Sequence, residues 1–255
     1  MPYLNANGTR LHVQQLNPDC EKTIVLLHGL LVGSLAMWYF TAAPLLAKTH
    51  RVILYDMRGH GKSEKVRTGF DIPSMVGDLD AVIHHFQLKT LSLAGHSYGG
   101  LVALNYALSH PEKINKLGIV DAPLPPSDLA EMGVFLNRSP EEMIEALPSW
   151  LQGLILSGKR QARKLRASLE YLACESTLFS DLQKEPDIDD ALLASLSVPA
   201  LLLYGDHSSC RDAGQRLAGN IPDSTLVVLP GGHYLPVECS GEVNHQFLEF
   251  FCGSD

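Results

Sequence analysis

The stretch LSLAGHSYGG, residues 91–100, places Ser97 between Gly95 and Gly99, after an apolar run and before a helical pattern. A serine hydroxyl held on a sharp strand-to-helix turn, the nucleophile elbow G-x-S-x-G, projects above a sheet edge. The N–H of the next residue, Tyr98, then lies at a helix start, where donors and dipole together favour a developing oxyanion. Gly99 and Gly100 permit close contact between helix and strand. Such a serine attacks an acyl carbon only if a base removes its proton. His233, in GGHY between the STLVVLP run and the last helical stretch, stands on a late loop and is the candidate base. The other histidines read as structural: His96 packs sideways within the turn, His28 and His60 sit beside glycines and bond to backbone, and His84 and His85 lie on a helix surface. No HExxH or comparable metal-ligand spacing occurs, so no metal is expected, and the chemistry reads as independent of any cofactor.

These residues need a scaffold, and the apolar pattern supplies one. Residues 3–16 read as a hairpin around Asn7-Gly8, a pair that tolerates the positive φ of a type I′ turn. Continuous apolar runs then recur in TIVLLHG, RVILYDM, LSLAG, KLGIVDA, PALLLYG and STLVVLP, as expected of parallel strands buried on both faces. Helical patterns at residues 74–86, 99–109, 211–218 and 241–251 alternate with them. The expected fold is α/β, a doubly wound, mostly parallel sheet with right-handed crossovers.

One connection, of about seventy residues, far exceeds an ordinary loop. It is helical in character, and Ser139-Pro140-Glu141-Glu142 carries a capping-box start. Residues 124–197 are therefore read as a helical lid inserted after the sixth strand. Residues 1–123 and 198–255 then form the core, within a single domain overall. Met132, Phe135, Leu136, Met143, Trp150, Leu154 and Ile155 read as the apolar layer joining this segment to the body, some of them lining a pocket. Trp38 fits either an acyl pocket or packing.

Composition narrows the partners. The formal charge of −8 opposes general attraction to nucleic acid or anionic lipid. No segment has the apolar length of a signal peptide or membrane span, and a cytoplasmic location is the default expectation. Cys20, Cys174, Cys210, Cys239 and Cys252 are scattered without a CxxC pair and read as reduced thiols. The basic run 159–166 reads first as a solvated helix face and second as an attractor for a CoA- or carrier-linked phosphate.

Four ordered motifs, His28-Gly29-Leu30, DMRGHGKS at 56–63, GHSYG at 95–99 and GGHYLPVE at 231–238, give the chain a resemblance to the α/β-hydrolase superfamily over nearly its whole length. The resemblance implies the order nucleophile, acid, histidine, with the backbone amides of Leu30 and Tyr98 as the oxyanion hole. It implies an architectural role for the DMRGHGKS turn. With serine at the elbow instead of aspartate, it speaks against epoxide hydrolase and haloalkane dehalogenase chemistry. Many relatives carry the acid three residues past the glycine ending the seventh strand, where this chain has Ser208. A subset, including small esterases, carries it after the sixth strand, which maps onto Asp121; Asp206, one residue past Gly205, is the alternative. The implied activity is that of a serine hydrolase on a small-molecule carboxylic ester or close acyl relative. Thioesters, lactones and carbon–carbon bonds suit the same constellation, and a low-turnover ligand receptor is the reading from a different class.

Overall fold

The computed structural model describes residues 2–253. Eight strands form one sheet: β1 (Tyr3–Ala6), β2 (Thr9–Leu16), β3 (Thr23–Leu27), β4 (Arg51–Tyr55), β5 (Leu91–His96), β6 (Ile114–Val120), β7 (Ala200–Gly205) and β8 (Ser224–Leu229). Their spatial order is β1-β2-β4-β3-β5-β6-β7-β8, antiparallel at β1/β2 and β2/β4 and parallel from β4 through β8. The α/β expectation holds. The hairpin forms at Asn7 and Gly8, both with positive φ.

Alternation along each strand divides the core into two layers, as the two-residue period of a strand requires. Val25, Leu27, Ile53, Tyr55, Leu93 and Ile119 belong to one layer, with the helices Ile72–His85, Tyr98–Ser109 and Arg211–Asn220. Ile24, Leu26, Val52, Leu54, Val120 and Leu203 belong to the other, with Trp38, Leu46, Phe247 and Phe251 from the opposite helices. Most of the apolar runs are buried on both faces, but STLVVLP is not. As β8 it is an edge strand with a neighbour on one side only, and Val228 is 44% exposed.

Between β6 and β7 the described chain forms six helices and no strand: Ser127–Leu136, Pro140–Glu145, Ser149–Leu156, Arg160–Cys174, Leu178–Leu182 and Asp190–Ala194. Ser139 Oγ accepts from the Glu142 amide and Glu142 accepts from the Ser139 amide, so the reciprocal cap forms as its spacing implies. Leu129, Met143, Leu151 and Leu169 from this segment share one continuous apolar cluster with the first core layer. Parallel pairing brings the carboxyl ends of β3, β5, β6 and β7 to one edge of the sheet, and the segment's polypeptide leaves and re-enters there.

Candidate active site

Ser97 follows β5 directly and occupies φ 54°, ψ −129°, a left-handed conformation unusual for a residue with a Cβ. Strain of this kind costs on the order of 1–3 kcal/mol and persists only where surroundings enforce it. Here Ser97 N–H donates to Val120 O at 2.8 Å, and glycine alone fits the flanks. A Cβ at Gly95 would lie 2.2 Å from Gly99 O, and one at Gly99 would lie 2.4 Å from His28 O. The helix Tyr98–Ser109 begins at the next residue, whose N–H is among the first-turn donors that have no acceptor within the helix.

Asp121 follows β6 in the same way, with φ 49° and no exposed surface. Its Oδ1 accepts from Gly205 N–H at 2.8 Å and its Oδ2 accepts from Ser208 Oγ at 2.5 Å. That oxygen also accepts from His233 Nδ1 at 2.7 Å, while His233 Nε2 lies 2.9 Å from Ser97 Oγ. Nδ1 must carry the proton toward the carboxylate, which leaves Nε2 as the acceptor for the serine hydroxyl. Ser97, His233 and Asp121 therefore form one directed hydrogen-bond line, buried at Ser97 and Asp121 and half-buried at His233. Asp206 lies off this line. Its Oδ1 accepts from Gly231 N–H at 2.9 Å, so it ties the β7 turn to the loop carrying His233.

The histidine loop has a second anchor that the sequence reading does not contain. His96 Nε2 donates to His233 O at 2.7 Å, so the residue expected merely to pack sideways fixes the backbone of the candidate base. Burial, reinforced by His233, pulls its pKa down to about 3 and keeps it neutral. Its Nδ1 is buried without a partner among the described residues. His28 and His60 bond to backbone as expected, each through both ring nitrogens. His28 donates to Gly29 O at 2.7 Å and accepts from Met57 N–H at 2.9 Å. His60 donates to Arg58 O at 2.8 Å and accepts from Leu31 N–H at 2.9 Å. The DMRGHGKS turn thus holds the loop that bears Leu30, and Asp56 adds a bond from Leu35 N–H at 2.8 Å.

A cavity of about 620 Å³ opens over Ser97 and His233, with Leu30 in its wall. Met132, Phe135, Trp150 and Leu154 line it from the helical segment, whereas Leu136, Met143 and Ile155 are buried in the apolar core. Trp150 stands edge-on to Tyr234 and its Nε1 donates to Glu238 Oε1 at 3.3 Å. Trp38 is a packing residue: it is buried against Phe247, and its indole N–H donates to Leu27 O at 2.8 Å. Among the described residues no lysine or arginine lines the cavity, whereas Asp128, Glu131 and Glu238 do. From the basic run 159–166, Leu165 reaches it, and Arg166 instead pairs with Glu141 and Glu170 at 2.6 and 2.8 Å.

The alpha/beta hydrolase fold model matches residues 22–183. The chain belongs to the alpha/beta hydrolase family. Across 94% of its length it is 29% identical to a Variovorax paradoxus protein named for carbamate hydrolysis, of which it covers 95%. Among solved structures, the enol-lactonase of Burkholderia xenovorans LB400 superposes with a TM-score of 0.81 at 22% identity, covering 98% of this chain and 100% of that one. The esterase RhEst1 of Rhodococcus sp. ECU1013 superposes with a TM-score of 0.77 at 25% identity, covering 99% of each chain. Within this alpha/beta hydrolase, the hydroxyl of Ser208 is a donor to the carboxylate of Asp121. Cys210, which no motif singles out, lies beside the same line, its Sγ 3.8 Å from His233 Nδ1. No described helix is long and apolar enough to cross a membrane.

Proposed function

We propose that the chain is a serine hydrolase that cleaves a small-molecule carboxylic ester, or a closely related acyl bond, through an acyl-enzyme on Ser97. The observation that carries this reading is the continuous line from Ser97 Oγ to His233 Nε2 at 2.9 Å and from His233 Nδ1 to Asp121 at 2.7 Å. Ser97 Oγ attacks the carbonyl carbon as His233 Nε2 takes the hydroxyl proton. Buried Asp121 stabilises the imidazolium and holds its orientation. The N–H groups of Leu30 and Tyr98 receive the oxyanion, where fixed donors outperform reorganising water. His233 then returns the proton to the departing alkoxide, and the bond from carbonyl carbon to leaving oxygen breaks. In the second half, His233 draws a proton from water, hydroxide equivalent attacks the acyl carbon, and Ser97 leaves with its proton restored.

The helical segment 124–197 acts in this reading as a lid whose Phe135 and Trp150 shape the acyl pocket. The absence of lysine and arginine from the described cavity wall favours an uncharged acyl group over a phosphate-bearing carrier at that wall. The test is labelling with a fluorophosphonate, peptide mass spectrometry, and turnover on a panel of esters, thioesters, lactones and vinylogous diketones. Attachment at Ser97, lost in Ser97→Ala together with several orders of magnitude of turnover, is expected. Attachment elsewhere refutes the nucleophile; binding without turnover on the whole panel points to a receptor instead.

A further inference from the structure

The carboxylate of Asp121, the thiol of Cys210 and Nδ1 of His233 each offer one ligand atom, and these atoms lie within 4.8 Å of one another. We propose that these three side chains form an inhibitory site for a thiophilic divalent cation such as Zn²⁺, which switches the hydrolase off by capturing the far nitrogen of its base. The three positions are separated by 89 and 23 residues or more of chain and share no motif spacing; the fold brings them together at the ends of β6, β7 and β8.

The distances suit the cation with small movements. Zn²⁺ takes sulfur at about 2.3 Å and nitrogen or oxygen at about 2.0–2.2 Å, so tetrahedral ligand atoms stand roughly 3.3–3.6 Å apart. Cys210 Sγ and His233 Nδ1 are already 3.8 Å apart, and His233 Nδ1 and Asp121 Oδ2 need to open from 2.7 Å. Cys210, His233 and Ser208 line the cavity over Ser97, which gives an ion a route inward and a hydroxyl or water for the fourth position.

The consequence for the base follows from proton counting. The cation replaces the thiol proton, which passes to solvent, so Sγ binds as thiolate. It also takes the lone pair at Nδ1, and the proton that sat there moves to Nε2. A histidine metallated at Nδ1 and protonated at Nε2 can donate to Ser97 but cannot accept from it, so general-base catalysis stops without any change at the nucleophile. Catalytic zinc sites keep a position open for activated water beside the substrate. This one lies on the far side of the histidine, so it inhibits.

Binding does not depend on the serine hydrolase reading; inhibition does. Co²⁺, a spectroscopic substitute, is titrated into the reduced full chain, and thiolate-to-cobalt charge-transfer absorption is recorded for wild type, Cys210→Ser, Cys210→Ala and Cys174→Ser. Thermal melts establish that each is folded. The band should appear in wild type and Cys174→Ser and vanish in both Cys210 variants. With an ester that wild type cleaves, Zn²⁺ should inhibit reversibly on chelation, and Cys210→Ser, each rate being referred to that variant's own metal-free turnover, should need at least tenfold more Zn²⁺ for half-inhibition. A band or a half-inhibition point unmoved by both Cys210 substitutions overturns the site, as does no cobalt binding at all. If no ester is cleaved, the cobalt spectrum still decides the metal site, and the hydrolase reading fails separately.

Discussion

Acidification should loosen this fold before its carboxylates titrate, because the scaffold around the site depends on neutral histidines. His60 and His96 are wholly buried, and burial is the main cause that lowers each pKa from 6.5 to about 3. His28 shifts in the same direction for the same reason. A folded-state pKa below the unfolded value means that unfolding takes up a proton, so stability is full above about pH 6.5 and declines as pH falls toward 3. For one such group the loss between pH 8 and pH 5 is about 2 kcal/mol, and the pair gives about 4 kcal/mol, from 1.36 kcal/mol per unit. Total stabilities are about 5–15 kcal/mol, so the change is a large fraction. Asp78, Asp128 and Glu185 have values raised through burial, so as the pH falls their proton uptake in the folded state opposes the trend. Urea unfolding at half-unit steps from pH 8 to 5 should show a slope of at least two protons in the lower part of this range. His96→Gln should lower that slope by about one proton while weakening the hold on the His233 carbonyl. A midpoint constant from pH 8 to 5, or an unaltered slope in His96→Gln, would refute the reasoning.

Three further outcomes are open to measurement. Asp121→Asn should cut kcat/KM by up to about 10⁴-fold, since an amide cannot stabilise the imidazolium. Asp206→Asn should cost less than about tenfold because its amide oxygen still accepts from Gly231, a difference on the scale of about 1 kcal/mol; the reverse ranking in steady-state kinetics moves the acid. Trp150→Ala and Phe135→Ala, both in the cavity wall, should shift preference toward longer acyl chains with the melting temperature largely kept, and unchanged preference in both makes them packing residues. His60→Leu should lower kcat more than it raises KM, because loss of the acceptor for Leu31 N–H disturbs the loop that carries Leu30, while fluorophosphonate labelling at Ser97 persists; an unaltered kcat would leave His60 a stability element.

The strands were legible because runs such as TIVLLH and PALLLYG are too short and too uniformly apolar for surface helices. Ser97 and His233 were legible because elbow and late loop have local signatures. The acid was harder. Asp121 and Asp206 both follow strands that end at the same sheet edge, and what separates them is side-chain direction: Asp121 faces His233, Asp206 faces Gly231 N–H. The bond from His96 to the His233 carbonyl links residues 137 apart and leaves no periodic trace. The short helices Ala36–Tyr39 and Ala43–Leu46 were equally hidden, since four residues carry too little of a helical period.

One side-chain type serves three purposes around Ser97, and solvent contact sorts them. His233 keeps 27% of its side chain exposed beside a buried carboxylate, so a proton gained at Nε2 has both a counter-charge and water nearby. His96 is sealed in and cannot take that proton cheaply, which makes it a rigid donor to the His233 backbone instead of a competing base. His60 is sealed in as well, yet its partner is Leu31 N–H, so its neutrality fixes the peptide next to Leu30. The DMRGHGKS turn therefore contributes no reacting atom but anchors the loop that carries Leu30, directly through His60 and also through Met57 N–H, which donates to His28, whose Nδ1 donates to Gly29 O in the same peptide as the Leu30 amide. Protonation of either buried histidine would convert a hydrogen-bond arrangement that positions the site into one that repels it, so the groups that make the geometry exact also make it sensitive to acid.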